Sequence, residues 1–318
     1  MNISIKELQQ KAISISNEVK KVIIGKDDII DKILIAFLAK GHILLEDIPG
    51  VGKTTMALAF SRAMDLKHQR LQFTPDVLPT DVTGFSVYNK QTDSFTYKPG
   101  AAICNLFLAD EINRTSSKTQ SALLEVMEEG RVTVDGITRE MPKPYIVIAT
   151  QNPVGSIGTQ MLPESQLDRF IIRLSLGYPD VESEYMILKG KQNNNPLNSV
   201  KPVASAEEIV MMQQACELVF VDDEIYKYIS LLTSATRKNS MLELGVSPRG
   251  SLAIASLSRA YAFIKGRNYV IPDDVHSVFY DSVAHRVILN PKAQVKGTTI
   301  KNILDDILKT TPIPKIHA

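Results

Sequence analysis

The stretch Glu46-Asp47-Ile48-Pro49-Gly50-Val51-Gly52-Lys53-Thr54-Thr55 sets small residues, one lysine and two hydroxyls in the order that phosphate binding needs. Gly50 and Gly52 let backbone N–H groups turn inward around phosphate oxygens, and a helix starting at Lys53 adds the partial positive charge of its N-terminus. Lys53 would neutralise the β and γ phosphates of a nucleotide, and Thr54 would offer its hydroxyl to Mg²⁺. The loop departs from G-x-x-x-x-G-K-[ST] at one place, because Asp47 stands where the first glycine belongs. Aspartate tolerates positive φ better than most side chains, so the turn is expected to survive the replacement. Downstream, Leu106-Phe107-Leu108-Ala109 runs into Asp110-Glu111. At the C-terminal end of a parallel strand, Asp110 would hold Mg²⁺ through water and Glu111 would polarise an attacking water. Asn152, just past Val147-Ile148-Ala149-Thr150, offers a neutral amide to orient that water or touch the γ-phosphate. Each feature also has a plainer reading: a Gly-Pro turn before a helix, a solvated acidic turn, a turn-forming asparagine before Pro153. Their order along the chain favours chemistry, since three successive strand ends would border one nucleotide.

Such residues need strands that deliver them to one edge. Apolar runs at 42–46, 70–73, 105–109, 145–150 and 171–176 alternate with helical segments, which predicts an α/β layer with a largely parallel sheet. Met56-Ala57-Leu58-Ala59-Phe60 continues from Lys53 as a good helix, completing a strand, loop and helix. Residues 130–139 alternate about Asp135-Gly136, a strong hairpin signal. Residues 84–100, with Phe85, Tyr88, Phe95 and Tyr97, read either as a small packed sheet or as aromatics that grip a partner. At the N-terminus Ser4 and Glu7 have capping-box spacing, and Ile5, Leu8, Ala12, Ile15, Val19 and Val22 recur at helical intervals. After Tyr178-Pro179 the pattern changes: 192–198 reads as a connecting loop, and helical periodicity prevails from about Ala204. The expected organisation is an N-terminal helix plus α/β nucleotide-binding domain over 1–190 and a helical lid domain over 191–318.

Five further stretches extend the pattern: Arg70-Leu71-Gln72-Phe73-Thr74-Pro75-Asp76-Val77-Leu78-Pro79-Thr80-Asp81-Val82-Thr83-Gly84, Asp110-Glu111-Ile112-Asn113-Arg114, Ala149-Thr150-Gln151-Asn152-Pro153, Leu162-Pro163-Glu164-Ser165-Gln166-Leu167-Asp168-Arg169-Phe170 and Val246-Ser247-Pro248-Arg249. With the phosphate loop, they make the chain resemble the AAA+ ATPases, and more closely their MoxR family, over about 22–289. The resemblance implies a P-loop NTPase core with an all-helical lid, with ATP held between them and Mg²⁺ as its companion. Lys53 and Thr54 fall at the Walker A pair, Asp110 and Glu111 at the Walker B pair, and Asn152 at sensor 1. Arg169 falls where the family places an arginine finger that acts on a neighbouring subunit's ATP, which implies a homo-oligomer, a hexameric ring. A surface ion pair is its plainer reading.

Arg249 is placed by local chemistry as well. Ser247 is a good N-cap and Pro248 suits the first helical position, so Arg249 sits in a helix's first turn, against the dipole, where a bound phosphate would relieve a mild cost. That fits sensor 2; a solvated arginine is the alternative. Ile24 and Gly25 fall at a linker position that touches the adenine base in related ATPases. Asp47, Pro49, Gly50, Val51 and Thr55 complete the expected nucleotide-binding set. The family resemblance implies a chaperone-like ATPase that matures or activates partner complexes, often beside proteins bearing a von Willebrand factor A domain.

Composition bounds these readings. With 318 residues, 44% hydrophobic and 22% charged, the chain is long enough for two packed units with ordinary cores. A formal charge of +1 gives no help to polyanion or membrane-surface binding, which disfavours the alternative of a DNA-acting AAA+ motor. A weakly hydrolysing ATP-gated scaffold is the other alternative, raised by Asp47. Cys104 and Cys216 lie far apart with no metal-ligand spacing, so a reducing compartment is expected. Lys6 and Lys11 interrupt any signal-peptide core, and no apolar run approaches the roughly 18–20 residues of a membrane span. A soluble, cytoplasmic protein is the expectation.

Overall fold

A computed structural model of the chain describes residues 3–48, 50–152, 162–190 and 196–315. Pro49 of the phosphate loop, Pro153 and most of the connecting loop at 192–198 lie outside them. The chain opens with α1 (Ile5–Lys20), whose capping box between Ser4 and Glu7 is formed, and α2 (Asp27–Leu38). Then β1 (Ile43–Glu46), α3 (Lys53–Ala63) and β2 (His68–Gln72) lead to the short helix α4 (Pro79–Thr83) and a hairpin of β3 (Gly84–Asn89) and β4 (Ser94–Pro99). Next come β5 (Leu106–Asp110), α5 (Ser117–Glu129), a second hairpin of β6 (Arg131–Val134) and β7 (Ile137–Glu140), β8 (Ile146–Gln151), α6 (Glu164–Leu167), β9 (Ile172–Leu174) and α7 (Val181–Gly190). The five long-range strands form one parallel sheet in the order β2-β5-β8-β1-β9.

The central strands β5, β8 and β1 are largely apolar on both faces, as parallel strands covered on both sides must be, whereas the edge strand β2 is polar and mostly exposed. Side chains alternate: Ile43, Leu45, Leu106, Leu108, Ile146 and Ile148 enter one core, with α1, α2 and α3. Leu44, Phe107, Ala109, Val147 and Ala149 enter the other, with Leu123, Leu124 and Met127 of α5. This period of two follows from the pleat, and it fixes register because a one-residue slip would swap the faces. The hairpin read at 130–139 is present, turning through Asp135 and Gly136 at φ 53° and 73°.

Beyond α7 the chain is helical: α8 (Ala206–Glu217), α9 (Asp223–Lys238), α10 (Pro248–Ile264), α11 (Pro272–Val283), α12 (Pro291–Val295) and α13 (Ile300–Thr310). A short antiparallel ladder of β10 (Leu242–Leu244) and β11 (Ile288–Leu289) interrupts it. Strands this short carry no readable period, so the ladder is absent from the sequence expectation. Helices α1 and α2 pack against α8 and α10, so the N-terminal helices bind the sheet layer and the C-terminal helices into one apolar core. Among the described residues no helix is long and apolar enough to cross a membrane.

Candidate functional site

All strands of a parallel sheet point the same way, so their C-terminal ends share one edge. That edge carries the loop after β1, Gln72 at the end of β2, Asp110 at the end of β5 with Glu111 after it, and Gln151 at the end of β8 with Asn152 after it. Gly50 and Gly52 adopt φ 87° and 96°, conformations that favour glycine, and a Cβ on either would meet no atom of the other described residues within 4 Å. Lys53 is buried at the first turn of α3, and its Nζ donates to the Asp47 carbonyl oxygen at 2.9 Å. Burial lowers its pKa from the ordinary lysine value, against the attraction of Asp110, Asp47 and Glu111, which all lie close enough to be felt.

Asp47 differs from the sequence expectation in its means. The left-handed non-glycine positions among the described residues are Lys40, Asp65, Asp93, Glu111 and Asp135; Asp47 is not one of them. Its carboxylate is buried and accepts three hydrogen bonds from the segment leaving β9: Ser175 Oγ at 2.8 Å, Leu176 N at 2.5 Å and Gly177 N at 3.0 Å. The loop is thus tied to its neighbour strand's exit instead of being eased by a tolerant φ. The same exit continues to Tyr178, whose carbonyl accepts from Lys26 Nζ at 2.8 Å. Gly25, at φ 73°, lies so close to Ser183 of α7 that a Cβ would stand 2.1 Å from its Oγ. The Ile24-Gly25 turn therefore joins this side of the sheet through 175–183.

Asp110 and Glu111 are separately employed. Asp110 accepts from Thr150 Oγ1 at 2.5 Å and Arg70 Nη2 at 2.7 Å. Glu111 turns into the left-handed region at φ 58°, its N–H donating to Thr150 Oγ1 at 2.9 Å. That turn sends its carboxylate toward Asn152 Nδ2 at 3.1 Å and Arg114 Nη1 at 2.8 Å. Desolvation raises the Glu111 pKa, but the hydrogen bonds from Arg114 and Asn152 outweigh it and hold the group below the usual glutamate value. Asn152 Oδ1 is buried with no partner among the described residues, an unusual cost for an amide oxygen and one that a water or phosphate-linked group at this spot would remove. For Mg²⁺ the donor set fits: Asp110 and Thr54 are hard oxygen ligands, and this ion binds through one or two carboxylates together with substrate phosphates.

Arg169 and Arg249 lie elsewhere. Arg169 precedes β9, and Ile171 N donates to His42 O at 2.8 Å, at the entrance of β1 rather than its exit. With four residues in β1, its first and last residues stand roughly 10 Å apart at about 3.3 Å per residue. Arg249, N-capped by Ser247 as expected, shares that entrance: both guanidiniums pair with Glu128, Arg169 Nη1 at 3.1 Å from its Oε2 and Arg249 Nη2 against its Oε1. They border an open cavity of about 270 Å³ with Lys40, His42 and Arg286. The chain thus brings Lys53, Thr54, Asp110, Glu111 and Asn152 to one edge and the two arginines to the other. Glu128, Arg286, Arg70 and Thr150 are the participants that local spacing does not reveal, because each partner is distant in sequence.

A parallel sheet in this order, with a glycine loop and helix following β1, defines a P-loop nucleotide-binding fold. Residues 42–172 match the family model "ATPase family associated with various cellular activities (AAA)", and 234–307 match "AAA lid domain". The chain is 46% identical over 296 residues to the uncharacterized protein YeaC of Bacillus subtilis (strain 168), covering 93% of this chain and 92% of that one. It is 38% identical over 310 residues to Chaperone MoxR1 of Mycobacterium tuberculosis (H37Rv), covering 95% and 82%. A crystal structure from Cytophaga hutchinsonii superposes with a TM-score of 0.91 at 36% identity, over 98% of this chain and 97% of that one. The chain belongs to the MoxR family of AAA+ ATPases.

Proposed function

We propose that this AAA+ ATPase is a Mg²⁺-dependent, chaperone-like subunit of a homo-oligomeric ring, a hexamer, whose ATP sites are completed between protomers and whose cycle matures or activates a partner complex. The observation that carries the reading is the separation of phosphate loop and arginines to opposite edges of one sheet. A subunit with complementary halves of a site on opposite faces associates head to tail, and such a contact makes a ring where its rotation closes on itself. The name of the relative Chaperone MoxR1 supports the chaperone-like role, and a client bearing a von Willebrand factor A domain is the partner class carried from the resemblance.

In this reading the loop from Asp47 to Thr55 cradles the phosphates, Lys53 neutralises their charge, and Ile24 and Gly25 flank the base. Asp110 and Thr54 would hold Mg²⁺, which supplies charge neutralisation at the β and γ phosphates. Glu111 draws a proton from the attacking water, and Asn152 holds the Glu111 carboxylate by Nδ2 while its Oδ1, unpartnered among the described residues, accepts from that water. Arg169 and Arg249 of the adjacent protomer meet the charge that develops on the transferring phosphoryl group; in P-loop systems one such arginine is worth roughly 10³–10⁵ in rate. Arg249 is therefore assigned to the neighbour's site, not to a cis site between its own two regions. The residue boundary between nucleotide-binding domain and lid is proposed near 190/191, where the chain leaves α7.

Replacing Glu111 with Gln tests the assignment: turnover should fall by roughly 10²–10⁴ while ATP binding is retained. An unchanged rate would remove Glu111 as the base. The same variant held in ATP should retain a partner that ADP-bound protein releases; equal capture in both states would contradict the chaperone-like cycle.

A further inference from the structure

The loop that carries Arg169 is held by the C-terminal helical region. Arg286, just beyond α11, is 5% exposed, and every one of its five N–H donors is used. Nε donates to Asp168 Oδ1 at 2.8 Å; Nη2 donates to the carbonyls of Asp168 at 3.1 Å and Phe170 at 2.6 Å. Nη1 donates to Ile171 O at 3.2 Å and to Ser282 O. His285 Nε2 adds a contact to Phe170 O at 2.9 Å. The other Asp168 oxygen accepts from Ser247 Oγ at 2.9 Å, the N-cap of α10 two residues before Arg249. One carboxylate therefore ties α10, Arg286 and the Arg169 loop together.

The arginines differ in what they leave free. Arg286 has no donor left for a ligand, whereas Arg169 Nε is buried without a partner among the described residues and Arg249 is held through the partly exposed Glu128. We propose that Arg286 is a positioning residue: through Asp168 it fixes Arg169 and Arg249 as one unit, so that the helical region of one protomer sets hydrolysis in the next. The proposal rests on the trans reading of Arg169 and Arg249 and adds the element that aims them. Lysine in place of Arg286 would keep a cation for Asp168 but lose the planar fork that spans Asp168, Phe170 and Ile171.

The test is trans-complementation with full-length protein. The Arg286→Lys variant should melt cooperatively and bind a fluorescent ATP analogue with unchanged affinity, because the phosphate loop lies at the opposite edge. Its kcat should fall on the order of 10²-fold, the scale of a misplaced reacting group. Mixed with Glu111→Gln protein, which lacks its own base but keeps its arginines, activity should reappear well above the sum of the two alone. A wild-type kcat for Arg286→Lys overturns the proposal. So does a folded, ATP-binding but inactive variant that Glu111→Gln fails to rescue while rescuing Arg169→Ala. If Arg169→Ala itself is not rescued, the trans reading fails first and the positioning role falls with it. Should Arg286→Lys not fold, Ser247→Ala, which removes one bond to Asp168 and keeps Arg286, decides by the same mixture: rescue supports the hub, a wild-type rate or absence of rescue overturns it.

Discussion

Restoring the missing glycine of the phosphate loop should harm this protein. In Asp47→Gly the loop matches the usual pattern, and the pattern alone predicts equal or better ATP binding. The structure predicts otherwise, because the Asp47 carboxylate is 4% exposed and accepts from Ser175 Oγ, Leu176 N and Gly177 N. Hydrogen bonds to a charged group contribute roughly 1.5–3 kcal/mol each, and returning a buried carboxylate to water gives part of the sum back. The net loss is about 2–4 kcal/mol, to which glycine adds backbone freedom in the unfolded chain. At roughly 2–4 °C per kcal/mol for a large single chain, Tm should drop by about 4–16 °C. Lys53 Nζ rests on the Asp47 carbonyl, so a loosened loop also misplaces the lysine, and ATP affinity should weaken. Differential scanning fluorimetry with and without nucleotide reads both effects. An Asp47→Gly protein as stable as the parent, or binding ATP more tightly, would refute the anchoring argument.

Two other outcomes follow from buried and shared charges. His42 is neutral by construction: Nε2–H donates to Met127 O at 2.9 Å while Nδ1 accepts from Val147 N at 3.0 Å, and burial depresses its pKa to about 4. An unfolded histidine takes its proton near 6.5, so below that pH the unfolded state binds more protons and stability falls as pH drops toward about 4, by up to about 3 kcal/mol. His285, also depressed by burial, adds in the same direction. Urea midpoints at pH about 7 and about 5 should differ, and His42→Asn should narrow the gap; equal midpoints in the parent contradict the reasoning. Glu128→Gln should free both arginines from a partly exposed ion pair worth about 0–1 kcal/mol, leaving Tm nearly unchanged and raising the ATPase rate at low protein concentration by up to about fivefold. A large Tm loss, or a lower rate, would show Glu128 to be a support rather than a competitor for phosphate.

Much of the scaffold was legible because its signals are local. Each central strand is a short apolar run, the loop glycines announce positive φ, and Asp135-Gly136 announces its hairpin. The site was legible to the extent that its residues end successive strands, so Asp110, Glu111 and Asn152 could be read in order. What escaped depends on partners far along the chain. The sequence suggests for Asp47 only tolerance of a strained turn, yet its role is set by three donors beyond Arg173, which no spacing near the loop reveals. Arg286 sits in Ala284-His285-Arg286-Val287 and looks like any cation after a helix; only the packed structure gives it Asp168 and three loop carbonyls. Arg249 was placed correctly in its helix by Ser247 and Pro248, but a cap cannot say which edge of the sheet the helix meets. The β10–β11 ladder escaped because two or three residues carry no periodicity.

The central claim is that one protomer's arginines complete another's ATP site, and a mixture of Arg249→Ala with Glu111→Gln protein tests it most directly. Each variant alone should be nearly inactive. Mixed, Arg249→Ala protomers keep their own Glu111 and receive Arg249 from a Glu111→Gln neighbour, so ATPase activity should rise above either parent and depend on total protein concentration. A mixture no more active than its separate components, with both proteins folded and assembled, would contradict the shared site.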